Sequence, residues 1–206
     1  MKRLFSLLLL ATAAVVINGA MASAQMKMDN PMVGGAAMYR TKTIVDNAIN
    51  SPIHTTLVKA VMAAGLVDTL KSKGPFTVFA PTDDAFAKVP SDALNSLMQP
   101  ENKGLLTSVL TYHVVAGKYD GKKIAQLIKQ GGGSAKLPTV DKGHYLTATM
   151  AGSDLILTDE KGGRARVTTA NVYQSNGVIH VVDTVLMPGE GMMMSGDMKH
   201  NKKHKM

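Results

Sequence analysis

The chain contains no cysteine, which excludes disulfides, a thiolate nucleophile, zinc fingers and iron–sulfur clusters. It has no tryptophan, and only four phenylalanines and five tyrosines among 206 residues. That is too few for an aromatic surface that stacks bases or sugars. A strong excess of one charge is also missing from the middle of the chain. The formal net charge is +8, yet residues 39–188 hold 16 basic and 12 acidic side chains. Such a surplus, spread over that length, reads as solubility charge and not as a nucleic-acid footprint. Long apolar runs are scarce too. The one that exists, Leu4 to Ile17, is 14 residues long, too short to span a bilayer comfortably.

What is present at the N-terminus has the order of an export signal. Lys2 and Arg3 precede the apolar stretch, and Ala22-Ser23-Ala24 offers a small-residue cleavage site before Gln25. Residues 1–24 are therefore expected to be a signal peptide. The mature chain is expected to be periplasmic or secreted, without membrane insertion. No cysteine follows the apolar stretch to carry a lipid.

Two segments of skewed composition flank the middle. Residues 25–38 are rich in methionine and residues 189–206 in methionine, histidine and lysine, and neither shows a helical or strand period. They are expected to be a flexible linker and a disordered tail. Met192, Met193, Met194, Met198, His200 and His204 carry thioether and imidazole donors suited to reduced copper or silver. The tail is also basic, through Lys199, Lys202, Lys203 and Lys205. It suits anionic cell-envelope polymers, by contacts that salt would weaken.

Between the flanks, helical and strand patterns separate. A short helix is expected over 41–49. Ser51-Pro52 reads as a helix start before Ile53, Leu57, Val58, Val61 and Ala64, and Gly65 as its end. Phe76 to Ala80 reads as a strand. Thr82 caps a helix whose first turn carries Asp83 and Asp84. Adjacent carboxylates on a helix diverge by about 100°, so this pair does not make a glycosidase couple. Leu105 to Leu110 and Asp120 to Ile128 are helical. Short strands follow at 145–150, 155–158, 165–169 and 178–187, the last apolar on both faces and therefore central. Helices gathered in the first half and strands in the second make an α+β domain. Asn176-Gly177 is expected to form a tight turn into the last strand, both residues tolerating positive φ.

Three stretches carry a family resemblance: Ala63 to Pro90 (AAGLVDTLKSKGPFTVFAPTDDAFAKVP), Leu105 to Tyr119 (LLTSVLTYHVVAGKY) and Thr168 to Pro188 (TTANVYQSNGVIHVVDTVLMP). In this order and at these separations they resemble the fasciclin-domain family. The resemblance spans 39–188. It implies a wedge of antiparallel strands with helices packed along it, and a role in adhesion or matrix contact without catalytic chemistry. In animal members, receptor recognition is linked to a Tyr-His block and to an Asp-Ile pair before the last strand. Tyr112-His113 supplies the first, but Asn171-Val172 stands at the second, and an Asn has no charge to bring to a receptor-bound cation. Tyr173 and Gln174 beside it are candidate contact residues, or simply close a loop. His113 and His180 lie among apolar residues; they read as a ligand pair or pH switch, or more simply as buried rings hydrogen-bonded to backbone.

No nucleophile elbow, zinc-binding HExxH, phosphate-binding loop or dinucleotide fingerprint occurs. The sequence therefore predicts an exported, non-catalytic binding protein with no resident cofactor. Its expected partner is a protein or a cell-envelope or matrix polymer, in adhesion or biofilm contact. The alternative is a periplasmic copper- or silver-binding protein that works through its tails.

Overall fold

The computed structural model describes residues 30–189. The expected leader, residues 25–29 and the tail from 190 onward lie outside the described residues.

Seven helices fall within the first part of the described chain. They are α1 (Ile44–Ala48), α2 (Thr55–Ala64), α3 (Val67–Lys71), α4 (Asp83–Ala87), α5 (Ser91–Leu97), α6 (Lys103–Tyr112) and α7 (Gly121–Gln130). Their ends show how local sequence sets them. Thr43, Thr82 and Asp120 accept hydrogen bonds from the backbone N–H three residues on, the N-cap geometry that satisfies an otherwise orphaned donor. Gly65 ends α2 at φ 73°, a left-handed conformation that costs glycine nothing. The Ser51-Pro52 start is not where α2 begins. Ser51 instead bonds the His54 ring, Oγ to Nδ1 at 2.7 Å, and the helix starts at Thr55 with no cap from its own N-cap residue. Asp83 supplies that cap from a distance. Its carboxylate accepts from the Thr56 N–H at 2.8 Å and the Thr55 N–H at 3.2 Å.

The strands are β1 (Phe76–Pro81), β2 (Val114–Ala116), β3 (Ser134–Pro138), β4 (Tyr145–Ala151), β5 (Asp154–Thr158), β6 (Arg164–Gln174) and β7 (Gly177–Val182). They form a seven-stranded sheet in the order β2-β1-β7-β6-β5-β4-β3. The expectation of antiparallel strands throughout is corrected at one pair: β1 runs parallel to β7, Phe76 beside Gly177 through Pro81 beside Val182. No hairpin joins these strands, which are about a hundred residues apart in the chain, so no turn dictates their direction. The sheet nearly closes on itself. Val115 bridges Thr139, and the Val140 N–H donates to the Val114 carbonyl at 2.7 Å.

Side-chain alternation along β1 and β7 builds a core on each face. Val78, Ala80, Ile179 and Val181 join Leu57, Val61, Leu106 and Leu110 under the helices. Phe79 and Val182 join Leu137, Leu146, Leu157 and the α7 residues Ile124 and Ile128 on the other face. All six residues of β7 are buried, which is why its sequence carries no polar face.

Residues before 39 also pack on the domain. Val33 and Met38 are buried in the helix-side core, and Val33 and Ala36 exchange backbone hydrogen bonds. The Asn176-Gly177 turn is also built differently: neither residue has a positive φ. Gly177 is needed for close approach, because a Cβ there would sit 2.1 Å from the Phe76 carbonyl oxygen.

Candidate functional site

The residues singled out in the sequence fall into two groups. One group is interior. Tyr112 ends α6 and is fully buried; its hydroxyl donates to the Tyr145 carbonyl at 3.0 Å and accepts from the Glu160 N–H at 3.2 Å. Burial pushes its phenol well above the ordinary value, so it stays a neutral donor. His113 follows as the cap of α6. Its Nδ1 donates to the Val109 carbonyl at 2.8 Å, and its Nε2 accepts from the Leu186 N–H at 3.0 Å. Both nitrogens are used, and the neutral tautomer is fixed by those partners. His180 donates from Nε2 to the Tyr119 carbonyl at 2.9 Å and stacks on Phe79 with ring centroids 5.5 Å apart. Phe79 also donates its N–H to the His113 carbonyl at 2.9 Å. His113 thus ties the end of α6 to the segment after β7, and His180 ties β7 to the segment before α7. Burial holds both imidazoles below their usual value.

Asn176 does similar work. Its Oδ1 accepts from the Ile44 N–H at 3.0 Å, while its Nδ2 donates to the carbonyls of Leu70 at 2.7 Å and Ser72 at 2.9 Å. One side chain thereby ties α1 and the end of α3 to the β6–β7 turn. Asp83 is a structural acceptor too. Burial works against its charge, but the hydrogen bonds from Thr56 and Thr55 outweigh that and hold its carboxyl below the usual range. Glu160 is held low in the same way: bonds from His144, Gly189 and Tyr145 prevail over its burial.

The second group lies on β6. Val172 and Gln174 point inward and are buried. The Gln174 amide oxygen accepts from the Asn47 side chain. This pair is therefore part of the packing and does not offer contact surface. Asn171 has φ 63°, unusual for a residue other than glycine but tolerated by asparagine. Its Oδ1 accepts from the Gly121 N–H at 2.7 Å, in the first turn of α7. Tyr173 is half-buried, with its ring toward the surface. The Arg40 guanidinium lies 4.4 Å and the Lys118 ammonium 4.9 Å from the ring centroid. Its hydroxyl donates to Asp120 at 3.4 Å, and its N–H donates to the Asn30 side chain at 2.9 Å. Sequence reasoning found Tyr173 but missed Arg40 and Lys118. No spacing links those three positions; only the fold does.

A cavity of about 40 Å³ lies between the helices and the sheet, lined by apolar side chains and by His113, whose nitrogens are already engaged. Among the described residues, no group of three or more histidines and acids is placed to hold a metal ion. The six candidate copper ligands from Met192 to His204 lie outside the described residues. Among the described residues no helix is long and apolar enough to cross a membrane.

The fasciclin-domain family model matches residues 52–188. The chain belongs to the fasciclin-domain family. Among its relatives, protein sll1483 of Synechocystis is 42% identical over 169 residues, covering 82% of this chain and 86% of that protein. The immunogenic protein MPB70 of Mycobacterium bovis is 38% identical over 146 residues, covering 68% of this chain and 66% of the relative. The cell surface glycolipoprotein MPB83 of the same species is 33% identical over 171 residues, covering 80% and 70%. The fold matches a fasciclin domain pair from the insect cell adhesion molecule Fasciclin I. That match has a TM-score of 0.63 and 22% identity, and covers 71% of this chain and 51% of that one.

Proposed function

We propose that this fasciclin-domain protein is an exported, non-catalytic contact protein, acting in cell adhesion or in matrix and biofilm attachment. One observation carries the reading: four buried polar side chains of the family blocks end on backbone groups inside the fold. Tyr112, His113, Asn176 and His180 all bond carbonyls or amides of other elements. Groups so occupied hold strands together, and the surface around Asn171 and Tyr173 is left for a partner. The cell-surface name of MPB83 and the adhesion-molecule source of the fold match support the same reading. So does the signal-like order of residues 1–24, which places processing before Gln25.

The test is removal of the gene from its host, followed by measurement of attached biomass. Attachment should fall, and should return with the full chain and with a chain that lacks 189–206. Unchanged attachment after deletion sinks the proposal. Rescue by the full chain alone moves the function to the tail and sinks it equally. N-terminal sequencing of the exported protein should begin at Gln25.

A further inference from the structure

The charge surplus of the domain is not spread over its surface. Four of its cations lie against tyrosine rings that form one belt. Lys42 sits 5.0 Å from the Tyr39 ring centroid, Arg40 and Lys118 are on Tyr173, and Lys123 is 4.1 Å from Tyr119. The belt is continuous. The Lys42 carbonyl accepts from the Ser175 N–H at 2.9 Å, next in the chain to β6, and Lys118 is followed directly by Tyr119. Lys122 stands beside Lys123 in the first turn of α7. The acid within this belt is Asp120, already occupied by the Lys123 N–H at 2.9 Å and the Tyr173 hydroxyl. With these five cations and one acid set aside, the remaining charged residues of 30–189 are eleven basic and eleven acidic. The whole surplus of the described domain is gathered here.

The belt is also firmly held. Tyr173 exchanges two hydrogen bonds with the Asn30 side chain. The Tyr119 N–H donates to Thr77 at 2.8 Å, its carbonyl accepts from His180, and Asn171 holds the Gly121 N–H. Cations laid against fixed rings lose less freedom on binding than free lysines do. With cations over them, the ring faces are not offered for base stacking. What the belt presents is a row of positive charges set against tyrosine rings.

We propose that this belt binds an acidic polysaccharide, a chain of repeated carboxylate-bearing sugars. Spaced carboxylates pair with the spaced cations, which the tyrosine rings hold in place. The proposal rests on the contact-protein reading and gives it a partner chemistry.

The test uses the full mature chain and polygalacturonate as probe, followed by calorimetry at low and moderate salt. Triple substitution Arg40→Gln, Lys118→Gln, Lys123→Gln should weaken binding by at least about tenfold. The same charge removal at Lys59, Lys73 and Lys103, with the tail lysines intact in both, should leave affinity within about twofold. Urea unfolding of both variants should match the parent, since each replaced side chain is at the surface. Equal loss in the two variants overturns the proposal, because general charge or the tail then accounts for binding. Equally tight binding to single-stranded DNA or to phosphatidylglycerol vesicles, abolished by the same three changes, overturns the choice of a polysaccharide. If polygalacturonate does not bind while attachment still depends on the protein, the contact reading stands and this inference fails.

Discussion

Acidification below about pH 6.5 should draw stability out of this fold through three imidazoles. His54 and His113 are 3% exposed and His180 is fully buried. Burial lowers the folded-state pKa of each below the ordinary 6.5. Their surroundings give a proton no home. A second proton on His113 would land on Nε2, against the Leu186 N–H. On His180 it would land on Nδ1, which has no partner among the described residues; His54 would carry N–H on both nitrogens, and burial outweighs the Ala80 carbonyl that favours its charge. The charges that oppose the shift are more distant carboxylates, Asp83 for His54, Asp159 for His113 and Asp120 for His180, and burial prevails over each. As pH falls, the unfolded chain therefore takes up protons first. The contribution is whole above the unfolded value and is lost in the interval between it and the lowered folded one. At about pH 5.5 an imidazole that stays neutral in the fold removes at most about 1.4 kcal/mol, so the ceiling for the three together is about 4 kcal/mol. Domains of this size have only about 5–15 kcal/mol in total. Urea unfolding at about pH 7.5 and 5.5 reads the difference. His180→Gln keeps a donor for the Tyr119 carbonyl and removes one titrating group, so its loss should be about one third smaller. Comparing slopes cancels whatever His144, paired with Glu160 at 2.6 Å, contributes to both. A parent loss under about 1.4 kcal/mol over this range, or an equal slope in His180→Gln, would refute the reasoning.

Two further outcomes test the internal wiring. Asn176→Ala should lower urea stability by about 3 kcal/mol, since it strands the buried Ile44 N–H and the Leu70 carbonyl; Asn176→Asp should not restore it, because a carboxylate would face the Leu70 and Ser72 carbonyls. Asp83→Ala should cost about 1–2 kcal/mol through the uncapped start of α2, while Asp84→Ala, exposed beside it, should stay within about 0.5 kcal/mol; similar losses at both would return Asp83 to the dipole role its position in α4 first implied.

Much of the architecture is legible in the residues because its signals are local. Gly65, Thr82 and Asp120 mark helix ends through contacts only a few residues away. The last strand announces its central place by lacking a polar face. Strand β3 was not expected, for a physical reason: Ser134–Pro138 is short, alternates exposed and buried, and contains Lys136 and Pro138. Nothing in five such residues separates it from a loop until β4 pairs with it. Residues 33–38 read as part of a flexible linker because Val33 and Met38 dock as single side chains beside Gly34 and Gly35, and a docked loop has no period to read. The site was less legible still. Asn176 reaches partners 132, 106 and 104 residues away, all of them backbone atoms. Which tyrosine a cation meets depends on the register of β6 against the Tyr39–Lys42 segment.

The same feature that makes the site hard to read explains how such a fold can serve recognition. Side chains with chemistry to offer are inside, and Tyr112, His113, Asn176 and His180 each commit polar atoms to backbone groups of another element. His113 borders the cavity beneath the helices, yet brings it no free nitrogen. The unpartnered Nδ1 of His180 is sealed from solvent. Changing these residues alters stability before anything else, so the interior is constrained. The belt at Tyr173 is bound by no such rule: Arg40 and Lys118 meet a ring face, and neither holds two elements together by a backbone bond. Charge there can be gained or lost at small cost to the fold. Relatives that share the buried wiring and differ at the positions of Arg40, Lys118 and Lys123 should therefore keep the fold and change the partner.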